Sequence, residues 1–192
     1  NKKKIKTPVF MPVGTYGAVK SISPDEITSI GYNLILANTY HIFLRPGLDV
    51  LKSSKGLHNL MGWDGLMLTD SGGFQIYSLK GLRKIDDDGA TFQSHLDGNK
   101  YKLTPESVID IQRIIGSDIM MMLDVCPSGE DSKKKWKLAV DLTSKWAHRA
   151  IKYHNNFNSY YDKEQLLVPI IQGGTDRDLR IRSLDELLKI DK

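Results

Sequence analysis

The sequence has 192 residues, of which 40% are hydrophobic and 26% are charged, and its formal net charge is +4. This length suffices for a domain with a substantial core, and the composition is that of a soluble globular protein. No apolar run approaches the ~20 residues that a membrane-spanning helix needs. One cysteine, Cys126, excludes an internal disulfide or a multi-cysteine zinc site within these residues and is typical of a reducing compartment. We therefore expect a cytoplasmic protein without a membrane partner.

Predicted helices and apolar strands alternate along the chain. The first helix begins at a capping box, in which Ser23 precedes Pro24 and Glu26. The predicted strands cover residues 7–13, 34–37, 66–69, 119–123 and 166–171, and the predicted helices cover residues 24–31, 46–54, 104–115, 132–154 and 176–188. Strands that are apolar on both faces are typical of a parallel sheet covered by helices, so the pattern predicts an α/β fold.

One segment departs from this alternation. Residues 91–96 and 100–103 flank Asp97-Gly98-Asn99, which is a strong hairpin signal. We expect a β-hairpin insertion there.

Polar side chains follow four of the predicted strands, namely Asn38, Asp70, Asp124 and Gln172. In a parallel α/β architecture the carboxyl ends of the strands gather on one face, where such folds place their chemistry. The alternative is that each of the four caps its own turn or helix. Four polar ends in succession favour a shared site.

The most informative stretch runs from Leu66 to Gln75. A short apolar run delivers the carboxylate of Asp70, and Ser71, Gly72 and Gly73 follow, so the backbone can turn sharply and approach a ligand without a Cβ in between. Phe74 is then placed to cover whatever lies over the turn. By local pattern alone, Asp70 is equally well a turn residue and Phe74 a core residue.

Several stretches resemble the tRNA-guanine transglycosylases, also called queuine tRNA-ribosyltransferases, in that family's order and spacing. They are residues 10–15 (FMPVGT), 38–41 (NTYH), 44–47 (LRPG), 69–75 (TDSGGFQ), 116–119 (GSDI), 123–124 (LD) and 171–174 (IQGG). The resemblance covers nearly the whole chain.

This resemblance implies a (β/α)8 TIM-type barrel, of which residues 1–192 would form one incomplete N-terminal portion, about half of the catalytic domain. The remaining barrel strands, the carboxylate that attacks the ribose and a Cys/His site for a structural zinc would lie outside this segment. Within it, the resemblance implies no cofactor and no metal ligand.

The implied reaction exchanges guanine at the wobble position of a tRNA for a 7-deazaguanine base, by double displacement at the ribose anomeric carbon. Asp70 would be the general acid/base, and its part parallels that of the proton-handling carboxylate of retaining glycosidases. The sequence leaves open whether the incoming base is queuine or its precursor preQ1. The implied partners are tRNA, the free base and a second subunit in a homo- or heterodimer. We expect residues 1–192 alone to be inactive, because the nucleophile lies elsewhere.

The resemblance also assigns base recognition. Guanine presents N1–H and N2–H₂ as adjacent donors, which one carboxylate accepts together, and Asp124 is the residue expected to do so. Gln172 offers a donor and an acceptor to the remaining edge of the base. The other residues implied to bind substrate are Asp70, Ser71, Gly72, Gly73, Phe74 as a stacking face, and Gly173 through its N–H. Asn38 and His41 would support them from behind, although His41 is slightly better explained as a structural histidine.

Two further functions stay open at this point. A non-catalytic tRNA-binding subunit of the same fold would lose site residues, whereas Asp70, Asp124 and Gln172 are all present. An enzyme acting on a small phosphorylated metabolite would need a phosphate-binding loop, and neither Gly-x-x-x-x-Gly-Lys nor a dinucleotide fingerprint occurs. Val125 departs from the Glu that bacterial members usually carry after the base-binding Asp.

Overall fold

The computed structural model describes residues 4–79 and 81–190 of the chain. The helices in that range are α1 Pro24–Ser29, α2 Thr39–Leu44, α3 Leu48–Ser53, α4 Leu57–Met61, α5 Gly73–Ser78, α6 Pro105–Ile115, α7 Lys133–Asn156 and α8 Arg177–Leu188. The strands are β1 Val13–Gly14, β2 Leu34–Ala37, β3 Leu66–Thr69, β4 Arg83–Asp86, β5 Gly89–Gln93, β6 Lys100–Leu103, β7 Ile119–Met121 and β8 Leu166–Val168. No helix in the described part of the chain is long and apolar enough to cross a membrane.

The chain divides into two compact units. The first comprises residues 1–70, 110–120 and 159–166, and the second comprises residues 71–109, 121–158 and 167–192. Of these residues, 1–3, 80, 191 and 192 lie outside the described part of the chain. The prediction of one partial-barrel domain over residues 1–192 stays a prediction.

The larger sheet has the strand order β1-β2-β3-β7-β8. Strands β1, β2, β3 and β7 pair in parallel, and the register places Ala37 beside Thr69 and Thr69 beside Met120. The strands carry buried apolar side chains, including Ile35 and Met67, neither of which is exposed to solvent. The predicted α/β fold with a parallel sheet is therefore confirmed.

The predicted hairpin is also confirmed, because β5 and β6 pair in antiparallel register. Sequence reasoning missed its third strand, β4, which pairs with β5 from Arg83 opposite Phe92 to Asp86 opposite Gly89. Strand β4 reads Arg-Lys-Ile-Asp, so it has neither the apolar run nor the β-branched content that predicts a strand.

Three short helices were not predicted. Helix α2 follows β2 at once and is capped by Asn38, whose side chain accepts a hydrogen bond from the His41 amide. Helices α4 and α5 are five and six residues long and begin after Gly56 and Gly72 without a side-chain cap. Helices this short give too few apolar repeats to reveal a helical period. The strand predicted over 7–13 is reduced to Val13–Gly14, since Pro8 and Pro12 cannot donate to a ladder.

A charged cluster at the amino end of β7 holds the first unit together. The carboxylate of Asp118 accepts hydrogen bonds from the Met67 amide at 2.8 Å and from Lys163 Nζ at 2.9 Å, and it lies 3.1 Å from His58 Nε2. Burial opposes ionisation of this carboxyl, but the contacts to His58 and Lys163, the lysine charge and the Met67 amide together outweigh it. The pKa of Asp118 is therefore below its ordinary value.

We expect Asp118→Asn to lower the free energy of unfolding by about 1 to 3 kcal/mol at neutral pH, because charge-assisted hydrogen bonds are lost. A depressed carboxyl pKa stabilises the folded state above its unfolded value and ceases to do so as the pH falls through the folded value. The difference between the variant and the wild type should therefore shrink below about pH 4. Urea unfolding across that range measures it.

The matched control is Asp162→Asn, which makes the same change at an exposed carboxylate next to Lys163 in the sequence. It should unfold like the wild type. Equal destabilisation by both substitutions would show that overall charge, and not the Asp118 contacts, stabilises the unit.

Candidate active site

In the first unit, Asp70 is oriented by two consecutive residues at the end of the neighbouring strand. One carboxylate oxygen accepts the Thr39 amide at 2.9 Å, and the other accepts the side-chain amide of Asn38. The Thr39 hydroxyl donates to the Asp70 carbonyl. This arrangement follows from the register, because Ala37 and Thr69 are partners and their successors are then neighbours. Asp70 is half-buried, whereas Asn38 and Thr39 are buried.

His41 lies in α2 behind this group. Its ring is 4.8 Å from that of Tyr16 and 5.2 Å from that of Tyr40, measured between ring centroids. Its amide donates to the Asn38 side chain, which also donates to Asp70. Asn38 therefore links α2 to the carboxylate, while the His41 ring packs against aromatic side chains.

In the second unit, Asp124 is the centre of a buried polar group. Its Oδ1 accepts the Ser71 hydroxyl at 3.0 Å, and its Oδ2 accepts the Gln172 side-chain amide at 2.7 Å. All three residues are buried, with exposed fractions of 9% or less. A carboxylate has about four lone-pair directions, so two remain for a further donor pair.

Burial disfavours the charged form of Asp124 and raises its pKa to about 6, although hydrogen bonds from Ser71 and Gln172 oppose the shift. The residue is thus largely ionised at neutral pH and is protonated in mild acid. Such a carboxylate accepts adjacent N–H donors well, because it has few water molecules to lose.

The start of α5 packs closely on this group. Gly72 has a φ of 78°, in the left-handed region, and the Gly73 amide donates to the Ser71 hydroxyl at 3.2 Å. A Cβ on Gly73 would lie 2.9 Å from the Asp124 carbonyl oxygen, so only glycine fits there. Phe74 follows with 63% of its surface exposed, an unusual position for a large aromatic side chain.

The segment after β8 is held by α8. The Gln172 amide donates to the hydroxyl of Ser183, a buried residue of that helix. A Cβ on Gly173 would lie 2.7 Å from the Arg180 amide nitrogen, so close packing against α8 already requires glycine there. The expected contact between Gly173 and the base stays a prediction.

The structure thus brings the predicted residues together in two sets, each within one compact unit. The first set is Asn38, His41 and Asp70, and the second is Ser71, Gly72, Gly73, Phe74, Asp124, Gln172 and Gly173. Their convergence on one purine-sized slot stays a prediction.

Sequence reasoning missed two supporting residues, Thr39 and Ser183. Thr39 lies inside the 38–41 motif, directly after Asn38, and this position was its only signal. Ser183 stands between the buried Leu179 and Leu187 at helical spacing, so a polar residue on an inward helix face could have indicated it.

Metal ligands were expected to be absent from this segment. Within residues 4–79 and 81–190, no three His, Cys, Asp or Glu side chains come together as a group that could hold a metal ion.

Comparison with known proteins matches the sequence model of the queuine tRNA-ribosyltransferase family to residues 1–192. The chain is 52% identical over 192 residues to a queuine tRNA-ribosyltransferase of Leptospira biflexa, covering all of this chain and 50% of the relative. It is 50% identical over 188 residues to that of Dictyoglomus turgidum, covering 98% of this chain and 48% of the relative. The chain therefore spans about half the length of these curated relatives, and it belongs to the queuine tRNA-ribosyltransferase family.

Proposed function

We propose that the full-length protein is a tRNA-guanine transglycosylase, a pentosyltransferase that exchanges the wobble guanine of a tRNA for queuine or preQ1. The observation that carries this proposal is the buried carboxylate of Asp124, held by Ser71 and Gln172 with two lone-pair directions left over. The N1–H and N2–H₂ groups of guanine form the matching donor pair. The names of the relatives support tRNA as the substrate.

Asp70 is proposed to carry the protons. When the glycosidic bond to guanine breaks, Asp70 in its acid form donates a proton to the departing base, and a carboxylate from outside residues 1–192 takes the anomeric carbon. When the new base attacks that carbon, ionised Asp70 accepts its N–H proton and the covalent bond to the enzyme breaks. The Thr39 amide and Asn38 position the carboxylate for both steps.

We propose a (β/α)8 barrel as the complete fold. The parallel order of β1, β2, β3 and β7, with helices between successive strands, is the pattern of such a barrel. Helix α8 supports it too, because Ile181, Leu184 and Leu188 are at least 40% exposed at helical spacing, as expected of a face that further barrel helices cover.

The remaining partners follow the family resemblance. We propose a homo- or heterodimer, a structural zinc held by residues outside this segment and a cytoplasmic location, where tRNA is found. Residues 1–192 alone would lack the nucleophile and would be inactive. The carboxyl and amide groups described above do not depend on the zinc.

Asp70→Asn in the full-length protein should abolish incorporation of labelled guanine into tRNA, since an amide neither donates nor accepts the proton. Affinity for tRNA should change less than about threefold, because phosphate contacts dominate it. The control Asp49→Asn changes an exposed carboxylate of α3 and should retain full exchange. Normal exchange by Asp70→Asn would remove this residue from the mechanism and favour a non-catalytic tRNA-binding subunit.

Asp124→Asn should weaken guanine binding about 10²-fold or more, because the amide presents an N–H to the donors of the base. The same change should stabilise the folded protein at neutral pH, since a raised carboxyl pKa means that ionisation opposes folding. That gain should be absent near pH 4, appear between about pH 4 and 6, and stay constant above.

Urea unfolding and equilibrium guanine binding measure the two effects. Asp178→Asn, at an exposed carboxylate of α8, should change neither. Unaltered guanine binding by Asp124→Asn would contradict the assignment of the base-recognition residue.

A further inference from the structure

A cavity of about 540 Å³ in the second unit has no part in the chemistry described so far. Its walls come from strand β4 and the turn after it, from the segment after Asp124 and from the first half of α7. The floor is apolar, with Ile85, Pro127 and Leu138 among its residues. This volume lies in the range of sites that hold a small molecule or one nucleotide unit.

The cavity walls are held by specific contacts. Trp146 Nε1 donates to the Asp87 carbonyl at 3.0 Å, and Arg149 donates to the same carbonyl at 2.9 Å. Arg149 also forms a two-fold contact with the Glu106 carboxylate, at 2.8 and 2.7 Å. Together these contacts fix the β4–β5 turn on α7, so the space between them is a built feature of the unit.

Arg83 differs from the other cations that line the cavity. Lys135 pairs with Asp131 at 2.6 Å, and Lys145 pairs with Asp87 at 3.1 Å. Within residues 4–79 and 81–190, Arg83 forms no ion pair; it donates to the Ile76 carbonyl at 3.1 Å and lies over the Tyr77 ring at 4.2 Å.

The carboxylates of the lining are all matched by cations. Asp86 pairs with Lys84, Asp87 with Lys145, Asp131 with Lys135, and Asp141 with Arg182. The charge of Arg83 is therefore in excess in the cavity. A planar guanidinium with unused donors binds a phosphate or carboxylate in a two-fold manner.

The cavity is adjacent to the Asp124 group along two pieces of backbone. Asp124 faces Ser71 and Gln172, whereas the next residue, Val125, lines the cavity. Consecutive Cα atoms are about 3.8 Å apart. Helix α5 begins at Gly73 beside Asp124, and Tyr77, near its other end, lines the cavity.

We propose that this cavity is a second nucleotide subsite, which takes a nucleotide next to the exchanged guanine, with its phosphate on Arg83 and its base against the apolar floor. The assignment rests on the proposed function, because a base in the Asp124 group brings the adjoining nucleotide of the same strand to the cavity. Tyr77 holds Arg83 in place and is itself fixed through its hydroxyl, which donates to Asp131 at 3.0 Å.

The test uses the full-length protein and a short RNA stem-loop with guanine in its loop. Each loop phosphate is replaced in turn by an uncharged methylphosphonate, and affinity is measured by fluorescence anisotropy. In the wild type, replacement of one phosphate beside the guanine should weaken binding about tenfold. Arg83→Gln should weaken binding of unmodified RNA by the same factor and show no further loss at that phosphate.

Two more readings sharpen the result. Arg83→Gln should reduce the slope of log affinity against log salt by about 0.7, the value for one single-strand phosphate contact. Lys84→Gln removes the same charge from the adjoining residue, which does not line the cavity, and should keep the wild-type phosphate profile. Leu138→Asp, which leaves Arg83 intact and places a carboxylate on the apolar floor, should also weaken binding.

A phosphate profile in Arg83→Gln that equals those of the wild type and Lys84→Gln, with guanine exchange intact, would overturn the subsite and leave the proposed function standing. Failure of the wild-type protein to bind the stem-loop or to exchange guanine would overturn both. Thermal unfolding confirms that Arg83→Gln is folded, and Arg83→Lys, which keeps the charge without the planar fork, should lie between the two.

Discussion

The burial of a single carboxylate, Asp124, imposes most of the constraints on the second unit. An ionised group with so little exposure needs donors, and Ser71 and Gln172 supply them from segments far apart in the sequence. Gly73 is then required, because the start of α5 lies against the same carboxylate. A residue that is costly to bury and yet only partly satisfied by its own chain is ready for a ligand that brings two more donors.

Two different physical devices orient the two carboxylates. Asp70 is held by the parallel register of β2 and β3, which makes the residues after those strands neighbours. Asp124 lies beyond the end of its strand and is held by side chains, including Gln172, which Ser183 fixes from α8. The register is set by the whole sheet, whereas the side-chain group depends on a few substitutable residues. The first arrangement suits proton transfer, in which geometry is critical, and the second suits the selection of a base.

The parallel sheet, the hairpin and the polar residues at the strand ends could be predicted from the sequence, because apolar runs, a turn signal and a capping box are local patterns. The helices α2, α4 and α5 could not, since each is too short to show a period. Strand β4 was missed because its order depends on pairing with β5 and on contacts from Trp146 and Arg149. The partners of Asp124 came only from family resemblance, since no local rule links residues 71, 124 and 172.

Thr39 holds Asp70 through its own peptide N–H, and no substitution other than proline deletes that donor. Part of the aim of the carboxylate is therefore written into the main chain, independent of which side chain stands at position 39. Drift at that position can remove the hydroxyl contact and still leave one oxygen pointed correctly. Natural variation would then adjust how firmly Asp70 is gripped without moving it out of line.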